Sequence, residues 1–265
     1  MPDDDRHSAI LCFDFDGTLV DRPSDPYDIA RLEEFLKHMH LRGAIWGINT
    51  GRSLYHTLDG LTEHGFRQVP DFIIARECEI YHRNDFNRWV DLGDWNQRCA
   101  ADHKRFYKLH ARFFKRLQKH VTTEMRGAKF ISDDMEPAGL TTRDADDMHR
   151  VCEWIEAQRE EWPELGYQRN DIWLRFNHQG YNKGTALLEV RRLTGVSAEF
   201  TFVAGDNYND LPMLQPHIAH GLACPSNAVP DISSHVAGLG GYVASEPATQ
   251  GIVAAIQHFF YPDGL

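Results

Sequence analysis

The chain has 265 residues, 42% hydrophobic and 25% charged, enough apolar material for one large or two modest globular domains. Its 39 acidic against 28 basic residues leave a net charge of −11, which argues against a nucleic acid or an anionic membrane as partner. A small phosphorylated metabolite stays open, because a local positive pocket or a metal ion can hold one. No apolar run reaches bilayer length, and the acidic start Met1-Pro2-Asp3-Asp4-Asp5 is the opposite of a secretion signal. The five cysteines are scattered and never spaced Cys-x-x-Cys, as expected of thiols in a reducing cytoplasm, and the 15 histidines form no zinc-binding array.

In chain order, Ala9-Ile10-Leu11-Cys12 predicts a buried strand running into Phe13-Asp14-Phe15-Asp16-Gly17-Thr18-Leu19. Strand alternation places residues two apart on one side, so Asp14 and Asp16 are expected to emerge together, with Gly17 turning the chain away. Two carboxylates so placed need a cation or a shared proton, and such a pair at a strand end marks a metal or catalytic site. Ile29, Leu32, Phe35, Leu36 and Met39 recur at helical spacing within Asp28–His40, and Gly43 supplies a stop. Ala44–Ile48 then reads as a strand ending at Asn49-Thr50-Gly51-Arg52, Ser53–His64 as a helix, and Asp71–Ala75 as a third strand. Strands alternating with helices predict a doubly wound, Rossmann-like parallel sheet.

The rhythm changes after Arg76. Glu79–His82 and Phe86–Val90 resemble a hairpin, Ala100–His120 a long helix, and Lys129–Ile131 a strand. Asp144–Gln158 reads as a helix and Ile172–Phe176 as an alternating strand, with Trp173, Arg175 and Asn177 on the face opposite Ile172, Leu174 and Phe176. Lys104, Arg105, Lys108, Arg112, Lys115, Arg116 and Lys119 make the long helix basic, as a solvated face or as a funnel for anionic substrates. Parallel alternation resumes with a helix from Asn182 to Leu193, a strand Phe200–Ala204, a helix opening at Asp210-Leu211, and a final helix Thr249–Phe260. The expected organisation is an α/β core of residues 1–77 and 180–265, with an inserted α+β unit over 78–179.

Ligands of open α/β sheets bind beyond the carboxyl ends of the strands. Three predicted strands end in polar, glycine-bearing turns: Asp14–Gly17, Asn49–Arg52 and Gly205–Asp210, while Tyr181-Asn182-Lys183-Gly184 sets a lysine at a helix start. The inventory suits a phosphoryl group bridged to carboxylates by a divalent ion. An aspartate can attack phosphorus and form an aspartyl-phosphate, but the meeting of two anions calls for Mg2+, with hard oxygen ligands from Asp14, Asp206 and a backbone carbonyl. Thr50 and the N–H groups near Gly51 suit equatorial phosphate oxygens, and Lys183 adds a fixed charge. Asp16 is placed to protonate the departing alkoxide and then activate water. Arg52, directly after the phosphate-binding turn, is expected to touch substrate or to form a surface salt bridge. Trp173 is a candidate for stacking on a sugar.

These four segments, in this order, resemble the haloacid dehalogenase superfamily of phosphatases, whose first motif (Asp-x-Asp-Gly-Thr) corresponds to Asp14 through Thr18. The second motif corresponds to Thr50, the third to Lys183 and the fourth to Asp206 through Asp210. The resemblance implies Asp14 as nucleophile, Asp16 as acid/base, and a magnesium ion held by Asp14, the Asp16 carbonyl and Asp206. It also implies that Asn209 and Asp210 support the phosphate and the lysine. The inserted unit looks like a class II cap of the Cof-like and sucrose-phosphate phosphatase type, with Glu79-Ile80-Tyr81, Trp89 and Trp95 nearer the sucrose-phosphate branch. Arg76-Glu77-Cys78 departs from the Asn-Gly or Gly-Thr usual at the core-to-cap crossing. The expected activity is hydrolysis of a small sugar phosphate; a sugar phosphomutase and a non-catalytic sugar-phosphate-binding protein are the competing readings.

Overall fold

A computed structural model describes residues 7–21, 25–131 and 139–262, so the acidic start lies outside the described residues. The chain divides into two compact units, residues 1–96 with 183–265, and residues 97–182.

In chain order the strands of the first unit are β1 (Ile10–Phe13), β2 (Ile45–Asn49), β3 (Phe72–Ala75), β4 (Glu79–Arg83), β5 (Trp89–Asp91), β10 (Thr201–Ala204), β11 (Gly221–Cys224) and β12 (Tyr242–Val243). They form one sheet in the order β12-β11-β10-β1-β2-β3-β4-β5. The six strands from β12 to β3 run parallel, as predicted for a doubly wound α/β core. Every residue of β1, β2, β3, β10 and β11 is buried, which is why these strands read as short continuous apolar runs. Helices α1 (Pro26–Leu41), α2 (Leu54–Glu63), α6 (Lys183–Thr194), α7 (Pro230–Gly238) and α8 (Ala248–Phe260) complete the unit. Asp25 caps α1 by accepting the Tyr27 N–H at 2.8 Å, Pro26 fills its first turn, and Ile29, Leu32, Phe35, Leu36 and Met39 enter the core.

The hairpin of β4 and β5, expected in the inserted unit, belongs to this sheet instead. Arg76 and Glu77 both adopt left-handed backbone (φ 48° and 68°), which reverses the chain so that β4 returns antiparallel along β3 with Ile80 opposite Ile74. Asn96 fastens it by accepting the Ile80 N–H at 2.7 Å and donating to the Ile80 carbonyl at 3.0 Å. The first unit therefore extends to residue 96 rather than 77.

The second unit has an antiparallel sheet in the order β6-β7-β9-β8, built from β6 (Lys129–Ile131), β7 (Gly139–Thr141), β8 (Leu165–Asn170) and β9 (Trp173–His178). Phe113, Phe114 and Leu117 of α4 (Ala111–Glu124) and Met148, Val151 and Ile155 of α5 (Ala145–Glu156) pack with Leu174 and Phe176, while Trp173 stays 54% exposed. The predicted long helix is broken: α3 (Trp95–Leu109) and α4 are separated by His110, whose φ and ψ are −93° and 12° and whose Nδ1 lies 2.8 Å from the Phe106 carbonyl. No helix opens at Asp210 either. Tyr208–Asp210 is a single 3₁₀ turn closed by a capping box of Asn207 and Asp210, with Pro212 two residues on. Among the described residues no helix is long and apolar enough to cross a membrane.

Candidate active site

Strands β1, β2 and β10 lie side by side, so the segments that follow them in the sequence meet at one edge of the sheet. Asp14 follows β1 directly and its N–H donates to the Ala204 carbonyl at 2.9 Å, which ties it to the end of β10. Its side chain is buried, and Lys183 Nζ donates to Asp14 Oδ1 at 2.5 Å and to Asp210 Oδ1 at 2.6 Å. Lys183, the first residue of α6, is fully buried, and its carbonyl accepts from Asn49 Nδ2 at 2.9 Å. Burial pulls its ammonium down, yet Asp14, Asp210 and Glu77 more than offset this and hold it above its ordinary range.

Asp210 spends its second oxygen on the backbone N–H groups of Asp206 (2.8 Å) and Asn207 (3.0 Å), which shapes the turn after β10. Asp206 in turn accepts from the Thr18 hydroxyl at 2.7 Å. Gly17, at φ 85°, passes so close that a Cβ there would lie 2.6 Å from Asp206 Oδ2. One oxygen from each of Asp14, Asp206 and Asp210 falls within 4.8 Å of the others, all three residues buried. Burial and the Asp210 charge push Asp206 up to about 7 against the pull of Thr18, Lys183 and Asp14, and burial pushes Asp14 well above the usual carboxylate range against the pull of Lys183. This set fits a hard divalent cation: the donors are oxygens, they converge, and their charge exceeds what one lysine neutralises.

A second cluster adjoins the first along the chain. Thr50 is buried, its N–H donating to the Ile74 carbonyl and its hydroxyl accepting from the Arg52 N–H at 3.2 Å, with Gly51 exposed beside it. The Glu77 N–H donates to the Thr50 carbonyl at 2.9 Å, and Glu77 Oε1 accepts from Asn209 Nδ2 at 2.9 Å. Glu77 thus joins the turn after β2 to the turn after β10.

Asp16 does not share the cluster of Asp14. Strand β1 ends at Phe13, so alternation lapses; Phe15 is buried and the Asp16 carboxylate is half exposed. It is gripped by the Arg52 fork at 2.6 and 2.7 Å. Arg52 also sits 4.7 Å over the Phe15 ring and donates to the His56 carbonyl at 3.2 Å, so the surface salt bridge is the arrangement found. Sequence reasoning missed the roles of Thr18, Glu77 and Asn227. Asn227 donates to the Gly17 carbonyl at 2.7 Å and accepts from the Ala248 N–H, two long-range bonds that leave no periodic trace.

The family model for haloacid dehalogenase-like hydrolases matches residues 71–237, and the model for sucrose-6F-phosphate phosphohydrolase matches residues 7–126. No curated protein matches the chain. Among solved structures, the sucrose-phosphatase of Synechocystis sp. PCC6803, in complex with sucrose and phosphate, is 20% identical; the alignment covers 96% of this chain and 98% of that one, with a TM-score of 0.72. The haloacid dehalogenase-like hydrolase yhjK of Bacillus subtilis is 20% identical over 96% of this chain and 93% of its own, with a TM-score of 0.64. The subclass IIB sugar phosphatase BT4131 is 18% identical over 95% and 98%, with a TM-score of 0.62. With a matching family model over more than half its length and a fold shared end to end, the chain belongs to the haloacid dehalogenase-like hydrolases.

Proposed function

We propose that this phosphatase hydrolyses a small sugar phosphate through an aspartyl-phosphate on Asp14, with Mg2+ as its metal. The observation that carries the reading is the buried Lys183 ammonium set between Asp14 and Asp210, next to Asp206 and to the Thr50–Gly51 turn. Burying this much charge costs stability, and groups held at such cost cluster at functional sites. The sucrose-6F-phosphate phosphohydrolase model over residues 7–126 supports the sugar-phosphate class. In this reading residues 1–96 and 183–265 form the catalytic core, and 97–182 act as a class II cap, with Trp173 offering an aromatic surface. The five free cysteines suit a reducing cytoplasm.

The residues divide the work. Thr50, the Gly51 N–H, Lys183 and Asn209 hold the phosphoryl oxygens. An oxygen of Asp14 bonds to phosphorus as the bond to the ester oxygen breaks, and Asp16 gives that oxygen its proton. Asp16 then takes a proton from water as the water attacks phosphorus, which returns Asp14 and frees inorganic phosphate. Asp14, Asp206 and the Asp16 carbonyl would hold magnesium, which when bound would supply positive charge that favours ionised Asp14 beside an anionic substrate. Asp210 holds Lys183 and the turn around Asp206 in place. Replacing Asp14 by Asn is expected to abolish turnover of para-nitrophenyl phosphate and of sugar phosphates, measured as released phosphate. Near-normal activity in that variant would overturn the assignment. The substrate follows from a panel of phosphorylated sugars, headed by sucrose phosphate; isomerised sugar without free phosphate would identify a mutase instead.

A further inference from the structure

Glu77 stands where the backbone favours glycine. Its φ of 68°, following 48° at Arg76, lies in a region that any residue with a Cβ enters at a cost. The side chain is nevertheless buried, and its carboxylate lies against the phosphate-binding turn: a Cβ on Gly51 would be 3.5 Å from Glu77 Oε1. The same oxygen accepts from Asn209 Nδ2 at 2.9 Å. A carboxylate at neutral pH only accepts hydrogen bonds, so Asn209 must turn its NH2 group toward Glu77, and a flip that presents its oxygen is repelled. One amide hydrogen is thereby used and the other is left in a fixed direction. The charge has its own consequence, because the carboxylate that helps hold the Lys183 ammonium also lies against Gly51, where a bound anion would meet it.

We propose that Glu77 is a positioning residue of the phosphate cradle: it fixes the orientation of the Asn209 amide, and its charge keeps the site from retaining product phosphate. This rests on the phosphatase reading above. Two substitutions separate the two roles. Glu77→Gln keeps an acceptor and removes the charge, whereas Glu77→Gly removes both and relaxes the backbone.

Titrating inorganic phosphate in the presence of magnesium chloride, followed by calorimetry, tests the charge directly. Glu77→Gln, which keeps an acceptor for Asn209 and loses the charge, is expected to bind phosphate about tenfold more tightly than the parent, and Glu77→Gly less tightly than Glu77→Gln. In steady state with para-nitrophenyl phosphate, kcat falls in both, and further in Glu77→Gly, where Asn209 has lost its acceptor. Glu77→Gln is expected to melt close to the parent temperature while phosphate binding and kcat both change, an outcome that a purely structural glutamate would not give. Unchanged or weaker phosphate binding by Glu77→Gln overturns the proposal, as does a Glu77→Gln protein that melts well below the parent with kcat intact. A parent protein that binds no phosphate at all would instead overturn the phosphatase reading beneath it.

Discussion

Two carboxylate–cation pairs leave the same strand two residues apart, and they differ in everything except length. Asp14 meets Lys183 at 2.5 Å with the lysine fully buried, while Asp16 meets Arg52 at 2.6 Å with the aspartate half exposed. Water screens the second pair and leaves it worth roughly 0–1 kcal/mol to the fold. The first pair is desolvated and shares its cation with Asp210, so removing one partner strands a charge in the interior. The buried pair is thus a fixed part of the scaffold, and the exposed pair can open at small cost. Under the proposed function, that division suits Asp14 as the nucleophile and Asp16 as the acid/base.

The largest effect is expected at the buried pair. Lys183→Met should destabilise the protein by about 3–5 kcal/mol, read by urea or thermal melts, and should abolish turnover. A variant as stable as the parent would mean that the lysine is not compensating Asp14 and Asp210. Metal removal should sharpen the same contrast. With Asp206 raised from the ordinary carboxylate value to about 7, the folded metal-free protein is expected to hold, between those two pH values, a proton that the unfolded chain has lost. Stability of the chelated protein should therefore be fullest near the ordinary carboxylate range and decline as pH rises toward 7, with Asp14 acting in the same direction. Excess magnesium should flatten or reverse that slope by engaging the ionised carboxylates. A chelated protein whose melting temperature rises between pH 5 and 8 would contradict the burial argument. At the exposed pair, Arg52→Ala should cost less than about 1 kcal/mol of stability. It should still lower kcat more than it raises KM, because Asp16 loses the contact that orients it.

The same contrast separates what the sequence makes legible from what it does not. Strand β1, the turn residues Thr50 and Asp206 and the helix-start Lys183 stand out because apolar runs and periodic helices point at them, and parallel strands share one active end. The partner of Asp16 does not stand out, because it depends on where β1 stops. Alternation projects Asp16 beside Asp14, but the strand ends at Phe13 and the buried Phe15 turns the chain. The placement of β4 and β5 is hidden for a related reason. Their reversal is made by Arg76 and Glu77 in left-handed conformations, which residue type gives no reason to expect. The break at His110 escapes notice because helical apolar spacing continues on both sides of it. Short strands such as Gly221–Cys224 and Tyr242–Val243 carry too few residues to show any period.

The account stands on Asp14 forming a covalent bond to phosphorus. Rapid acid quenching of the protein during turnover of para-nitrophenyl phosphate, followed by mass analysis of the peptide that contains Asp14, measures this bond. A phosphoryl group on that peptide, acid-stable, lost in mild base and missing from the Asp14→Asn variant, is the predicted result. A peptide that stays unmodified while Asp14→Asn continues to release phosphate would contradict it.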